Sequence, residues 1–256
     1  MEGFRRLIQQ EKPTIGGWCS LPGGFTAEVM ANSGFDWACI DLQHGMITSA
    51  DLLPMLQAFA TTHTPVAVRV GWNDPSKIMK ALDSGAQAVI VPLVDTPDQA
   101  RAAVRACRYP PLGIRSWGPT RSRLGVPNLT PATADKATVL LVMLETENAV
   151  ARLPEILDTE GVDGIFVGPN DLALTNGRSL PRDASPEELA EQEGQIQIVI
   201  ETARAHGKIA GINCASVEVA RKRAEQGFRL LAVSSDIAFL VAGGRQVVTA
   251  LGSIAS

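Results

Sequence analysis

Residues 137–171 carry two hydrophobic runs, Ala137-Thr-Val-Leu-Leu-Val-Met-Leu-Glu145 and Val162-Asp-Gly-Ile-Phe-Val-Gly-Pro-Asn-Asp171, separated by a segment of helical periodicity. Each run has the length and apolar content of a buried strand, and each stops at an acid. A carboxylate just past the carboxyl end of an apolar strand is poorly placed for core packing. Two of them on successive strands could hold one hard divalent cation between them.

Outward from this pair, short β-rich runs alternate with longer helical segments along the whole chain, the signature of βα repeats around a parallel sheet. Eight strands are expected, beginning near Thr14-Ile-Gly-Gly-Trp-Cys, Trp37-Ala-Cys-Ile-Asp, Val66-Ala-Val-Arg-Val, Ala88-Val-Ile-Val-Pro, Val139-Leu-Leu-Val-Met-Leu, Gly164-Ile-Phe-Val-Gly, Lys208-Ile-Ala-Gly-Ile-Asn and Leu230-Leu-Ala-Val-Ser. Eight repeats in 256 residues predict an α/β protein, one (β/α)8 barrel domain spanning 1–256. Helix-start signals agree, with Thr48-Ser-Ala-Asp51 ahead of Leu52 to Ala60 and Thr96-Pro-Asp98 ahead of Gln99 to Cys107. Tyr109 to Asp135, rich in Pro, Gly and Arg, is too long for an ordinary connection and reads as a functional loop. A second polar stretch covers Asn176 to Glu188.

A hydrophobic content of 45% is ample for one continuous core. The net charge of -4 and pI near 5.5 give no broad cationic field, which disfavours nucleic acid and anionic membranes and leaves a small molecule as partner. Met1 to Gln10 is amphipathic without the apolar stretch of a signal peptide, and no later segment could span a bilayer, so a soluble cytoplasmic protein is expected. Cys19, Cys39, Cys107 and Cys214 lack paired spacing and read as buried free thiols.

In a barrel, chemistry gathers at the carboxyl ends of the strands and the opposite rim serves stability. The predicted carboxyl-end set is Asp41, Gln43, His44, Arg69, Glu145, Gly168 to Asp171, Asn213 and Ser234 to Asp236. His63 and His206 precede strands three and seven, which leaves His44 as the histidine placed for catalysis. No lysine falls at the carboxyl end of a strand, so imine chemistry is disfavoured and a metal must serve as electron sink. Gly-x-Gly-x-x-Gly and Walker-type loops and a nucleophile elbow are also missing from the sequence. The competing readings are capping acids at helix starts for Glu145 and Asp171 and a structural ion pair for Arg69. Asp41 either orients His44 or closes the turn, and Gln43 could bind substrate or a metal-held water.

The chain resembles the metal-dependent (class II) pyruvate aldolases, the family of 4-hydroxy-2-oxoheptanedioate aldolase and 2-dehydro-3-deoxyglucarate aldolase. The resemblance runs over nearly the whole length. It is carried by Phe35-Asp-Trp-Ala-Cys-Ile-Asp-Leu-Gln-His-Gly45, Val68-Arg-Val, Asp83-Ser-Gly-Ala-Gln-Ala-Val-Ile-Val-Pro92, Tyr109-Pro-Pro-Leu-Gly-Ile-Arg115, Leu144-Glu-Thr146 and Phe166-Val-Gly-Pro-Asn-Asp-Leu172. It implies a TIM barrel of the phosphoenolpyruvate/pyruvate-domain type. It also implies a homohexamer built as a trimer of dimers, with the last helix, Ile237 to Ser256, exchanged between subunits.

Residue by residue, the resemblance implies Glu145 and Asp171 as ligands of Mg2+, Mn2+ or Co2+, Arg69 as enolate stabiliser and His44 as base. Asp83 would raise the basicity of His44; since it lies on the helix before strand four, it would act across a subunit contact. Gly168, Pro169 and Asn170 would receive the carboxylate of a 2-oxo acid. Three positions depart from the family pattern: Met143 where relatives carry Gln, Asn170 in place of Ala or Ser, and Asn213 in place of an apolar residue. The two asparagines could receive hydroxyls of a polyhydroxy aldehyde or of hydroxypyruvate. Arg115, Arg121 and Arg123 could bind the distal anion of an acidic aldehyde or serve a subunit contact. The expected activity is reversible aldol cleavage between pyruvate or hydroxypyruvate and an aldehyde. The alternatives are a CoA-ester lyase of the malyl-CoA or citramalyl-CoA type, and a non-catalytic barrel that binds 2-oxo acids.

Overall fold

The computed structural model describes residues 3–124, 126 and 128–252. All eight predicted strands form: β1 (Thr14–Cys19), β2 (Trp37–Asp41), β3 (Val66–Arg69), β4 (Ala88–Val91), β5 (Val139–Leu144), β6 (Gly164–Val167), β7 (Ile209–Cys214) and β8 (Leu230–Val233). They pair in chain order, all parallel, and β8 closes on β1. The fold is the predicted (β/α)8 barrel.

Helix α1 (Gly3–Gln9) precedes β1, and α2 (Gly24–Ala31), α3 (Ser49–Thr61), α4 (Pro75–Asp83) and α5 (Pro97–Cys107) follow the first four strands. Next come α6 (Pro131–Ala137), α7 (Glu147–Ala151), α8 (Leu153–Leu157), α9 (Pro169–Thr175), α10 (Pro186–Ala205), α11 (Val217–Gln226) and α12 (Asp236–Leu251). Thr48 and Thr96 open α3 and α5 through capping boxes with Asp51 and Gln99. The long irregular stretch is shorter than the sequence suggested. Thr130 caps α6 by accepting the Thr133 N–H, so Asp135 lies in a helix and the loop ends near Thr130. The second polar stretch reduces to residues 176–185, between α9 and α10.

Strand side chains alternate between two cores. Val139, Leu141 and Met143 of β5 join Trp18, Trp37, Cys39, Ala67, Ile90, Phe166 and Leu230 in the barrel lumen, while Leu140, Val142 and Leu144 pack outward against the helices. Both faces are covered, hence the near-continuous apolar runs in the sequence. Phe4 of α1 closes the lumen at the amino end, edge-on to Trp37 at 5.8 Å. Two glycines make room for the lumen aromatics: a Cβ on Gly16 would come within 2.3 Å of the Trp37 ring, and one on Gly211 within 2.5 Å of Phe166.

The four cysteines are buried and unpaired, as expected. Among the described residues no helix is long and apolar enough to cross a membrane. From Ile237 onward α12 is exposed, including Phe239, Leu240, Val247 and Val248. Its first turn is anchored, because the buried Asp236 accepts the Ser20 and Leu21 N–H groups and Phe239 stacks on Phe35 at 6.0 Å. Residues 253–256 of the helix expected to exchange lie outside the described residues.

Candidate active site

The lumen parity that places Cys39, Ala67, Met143, Phe166, Gly211 and Ala232 inside carries on, two residues further, to Asp41, Arg69, Glu145, Gly168, Asn213 and Ser234. The polar ring at the carboxyl end is therefore the next inward-facing layer of the barrel. It opens into a cavity of about 880 Å³ whose lining includes Trp18, His44, Arg69, Met143, Asp171 and Asn213.

Asp41 and Arg69 are register partners on β2 and β3. Asp41 Oδ1 accepts Arg69 Nε at 2.9 Å and Oδ2 accepts Nη2 at 2.6 Å, a bidentate pair with side chains only 2% and 7% exposed. Trp18 Nε1 donates to Asp41 Oδ2 at 3.1 Å, and the Trp18 ring lies 4.9 Å beneath the guanidinium carbon. Burial by itself raises the Asp41 carboxyl. The Arg69 pair, with Trp18 and the His44 N–H, outweighs it and holds the acid below its ordinary value. For Arg69 burial lowers the pKa, and Asp41 outweighs it upward. The structural ion pair is thus real, but it occupies only one edge of the guanidinium: Nη1 meets the Met143 sulfur at 3.8 Å.

Asp41 Oδ1 also accepts the main-chain N–H groups of Gln43 and His44, at 3.0 and 3.2 Å. Asp41 closes the turn through the backbone. His44 is exposed and lines the cavity. Gly45 lets the turn fold back on the end of β2 and pass Ser20 just beyond β1, since a Cβ there would fall 2.4 Å from the Asp41 carbonyl oxygen and 3.2 Å from the Ser20 Cα. Gln43 Oε1 is buried without a partner and lies outside the cavity lining.

Glu145 is 1% exposed and packs behind Gly168 of the cavity lining. Its Oε2 accepts the Leu93 N–H at 2.9 Å, from a residue held at φ 52°, a left-handed backbone unusual for leucine. Its other oxygen faces Gly168, where a Cβ would stand 3.1 Å away. Burial raises the Glu145 carboxyl, the Leu93 bond opposes this, and the charge of Asp171 adds to it. Asp171 sits half-buried in the first turn of α9. Neither acid is a cap acceptor: Thr146 caps α7, and α9 has no side-chain cap. Two mutually repelling carboxylates, one buried with an oxygen free of other donors, fit a hard cation that completes its shell with substrate and water oxygens. Among the described residues no cluster of three or more His, Cys, Asp or Glu could hold a metal.

Pro169, Asn170, Asp171 and Asn213 line the cavity. Gln192 of α10 pins the first of these by donating to the Pro169 carbonyl at 2.5 Å. Asp83 is elsewhere. It ends α4 on the opposite rim, where its carboxylate accepts Arg115 Nη2 at 2.8 Å, so one chain does not bring it to His44. The arginine loop joins α5 to α6 and lies on that same amino-end rim, which removes Arg115 and Arg121 from any distal-anion role in this subunit's cavity. Sequence reading missed Trp18, the Leu93 N–H and Gln192; the first was signalled by the parity of β1, the others by nothing local.

Residues 15–242 match the HpcH/HpaI aldolase/citrate lyase family. The chain belongs to this family. It is 40% identical over 248 residues to a hydroxypyruvate/pyruvate aldolase of Rhizorhabdus wittichii, covering 97% of this chain and 98% of the relative. It is 37% identical over 260 residues to a 4-hydroxy-2-oxo-heptane-1,7-dioate aldolase of Escherichia coli, covering 99% and 96%. A crystal structure of a family protein from Burkholderia cenocepacia superposes with a TM-score of 0.89 at 32% identity over the full length of both chains.

Proposed function

We propose that this family member is a divalent-metal-dependent aldolase. In this reading it catalyses reversible aldol cleavage between pyruvate or hydroxypyruvate and an aldehyde, with Mg2+, Mn2+ or Co2+ held by Glu145 and Asp171. The observation that carries it is the Nη1 edge of Arg69, bonded only to the soft Met143 sulfur among the described residues, in one cavity with His44 and Asp171, with the buried Glu145 behind Gly168 of the cavity wall. Full-length similarity to proteins named as aldolases supports the same reaction class and gives less support to a CoA-ester lyase.

When bound, the cation would supply Lewis-acid charge at the keto oxygen of the 2-oxo acid. In the cleavage direction His44 takes the proton of the C4 hydroxyl, the C3–C4 bond breaks, and its electron pair moves onto the keto group as the aldehyde leaves. Arg69 Nη1 faces the oxygen on which charge develops, while Asp41 and Trp18 prevent the guanidinium from reorganising. Protonation at C3 then returns the 2-oxo acid. The backbone from Gly168 to Asn170, fixed by Gln192, receives the substrate carboxylate. Asn170 and Asn213 supply polar contacts that favour a hydroxylated donor.

The site is completed by a second subunit in this proposal. Asp83 would reach a neighbour's His44, and the exposed apolar surfaces of Trp117 and Leu124 on one rim and of Met46 and Trp72 on the other support rim-to-rim contact. The bare apolar α12 supports exchange of this helix within a homohexamer. Four unpaired buried thiols favour a reducing compartment, the cytoplasm.

The test is exchange of pyruvate C3 protons in deuterated buffer, followed by NMR. Exchange should require added divalent metal and collapse in His44→Ala and Glu145→Gln. Absence of exchange with pyruvate and hydroxypyruvate under every metal tried would defeat the reading.

A further inference from the structure

A second cavity, of about 390 Å³, lies on the amino-end rim, the opposite end of the barrel from His44. It is walled by the amino end of β3, by α3, the ends of α4 and α6, and the loop that follows α5. Two arginines and a serine of this loop converge on it. Arg115 is 2% exposed; its charge is balanced by Asp83, its face lies 4.6 Å from the Tyr109 ring, and its Nε has no partner. Arg121 is different. Its guanidinium is half-buried and held by two main-chain carbonyls, Nη1 to Ser84 at 2.8 Å and Nη2 to Leu56 at 3.2 Å. Burial lowers its pKa and no neighbouring acid offsets this.

A half-buried guanidinium held only by neutral carbonyls keeps its charge unbalanced and can take an anionic partner. Room for the guanidinium is built in: Gly85 has φ 107°, and a Cβ there would lie 2.1 Å from Arg121 Nη1. Beside it Ser122 is 9% exposed, and its hydroxyl is buried without a hydrogen-bond partner. The rest of the lining includes apolar side chains, among them Leu56, Leu82 and Leu124. Summed over the three charged groups that face the cavity and its edge, Arg115, Arg121 and Asp83, the balance is positive.

We propose that this cavity is a second, non-catalytic ligand site for a small oxyanion, a phosphate or carboxylate group on a short body, with Arg121 as counter-charge and Ser122 as hydroxyl donor. The oxyanion would satisfy both unfulfilled groups at once, through charge-assisted hydrogen bonds to the one and an O–H donor from the other. The loop that binds it also holds Asp83, whose carbonyl accepts the Arg121 and Ser122 N–H groups, so occupancy would rigidify that end of α4. The site does not depend on the aldolase reading.

Calorimetric titration of the full chain with inorganic phosphate and, separately, with butyrate, in the presence of a chelator, tests this. Saturable binding is expected, weakened about tenfold or more in Arg121→Gln and several-fold in Ser122→Ala, since hydrogen bonds to a charged group carry the interaction. It should persist in Arg69→Met, which separates it from anions entering the catalytic cavity. The stronger of the two probes tells whether the headgroup is phosphate or carboxylate. Binding that is absent, or that Arg121→Gln and Ser122→Ala leave unchanged, overturns the site. So does a structure of the assembled protein in which a carboxylate of another copy already pairs with Arg121. Should Arg121→Gln fail to fold, Ser122→Ala decides alone.

Discussion

Asp41 and Arg69 stand opposite each other at the last positions of β2 and β3, and the carboxylate grips the Nε/Nη2 edge of the guanidinium while leaving Nη1 toward the cavity. Register alone makes this geometry. The inward parity of both strands sends the two side chains to the same lumen layer, and the pair then presents one fixed N–H edge to a substrate oxygen.

Removing the acid strands a buried cation. Asp41→Ala is expected to destabilise the fold by about 3–5 kcal/mol, the usual cost of breaking one half of a buried pair. Asp41→Ala/Arg69→Met should be milder than the sum of the single changes. Urea unfolding of all four proteins closes the cycle, and simple additivity would show that the pair is not coupled.

The Nη1 edge is a matter of geometry as well as charge. Arg69→Lys keeps a cation but loses the fork, so C3 proton exchange should fall by about 10²–10³-fold, as for loss of an oxyanion donor. Asp41 would retain a partner, so the melting temperature should move far less than in Asp41→Ala. A rate within threefold of wild type would remove Arg69 from the mechanism.

Gly168 sets the space around Glu145. An alanine Cβ would stand 3.0 Å from Glu145 Cγ and 3.1 Å from Oε1, closer than ordinary contact, while the φ of -100° is one alanine adopts freely. Gly168→Ala should therefore fold normally and bind Mn2+ about tenfold more weakly. Titration followed by electron paramagnetic resonance reads this directly, with Glu145→Gln as the variant that abolishes binding.

Glu193 governs part of the acid stability. Burial raises its carboxyl, but hydrogen bonds from Arg223, Lys222 and Gln226 outweigh this and bring it from an ordinary 4.5 to about 2. A depressed acid stabilises the fold above its unfolded value and loses that contribution as pH falls through the folded one. The stability gap between wild type and Glu193→Gln should be full at pH 7, shrink below about pH 4.5 and close near pH 2. A gap independent of pH would mean that the network across α10 and α11 acts only by packing.

The bare apolar face of α12 leads to an assembly prediction. Leu240→Asp/Val248→Asp should dissociate the proposed homohexamer in sedimentation velocity and lower pyruvate exchange with it, because Asp83 could no longer reach a neighbour's site. A monomeric wild type with full exchange activity would refute both the contact and the role of Asp83.

Much of this molecule was legible in its sequence because a parallel barrel writes itself locally. Each strand is a short apolar run covered on both faces, and each helix start carries a cap such as Thr48 or Thr96. The acids at 145 and 171 were conspicuous because they interrupt that pattern. The loop from Tyr109 was read as functional for its length, yet as the connection from α5 to α6 it lies on the rim away from His44; length does not reveal the rim. Gln192 and Leu93 carry no local mark, since their roles consist of bonds to Pro169 and Glu145, 23 and 52 residues away.

The alternation of strands and helices, and the identity of the residue ending each strand, determined the barrel and the composition of its polar ring. Only tertiary structure decided how those residues share their bonds. It gave Arg69 to Asp41, left Glu145 an oxygen free, and turned Asp83 toward Arg115. Periodicity specifies which way a side chain faces, whereas hydrogen-bond partners are chosen by strand register and by how loops and helix ends dock on the barrel, which bring together residues 28 to 52 positions apart that no local pattern links.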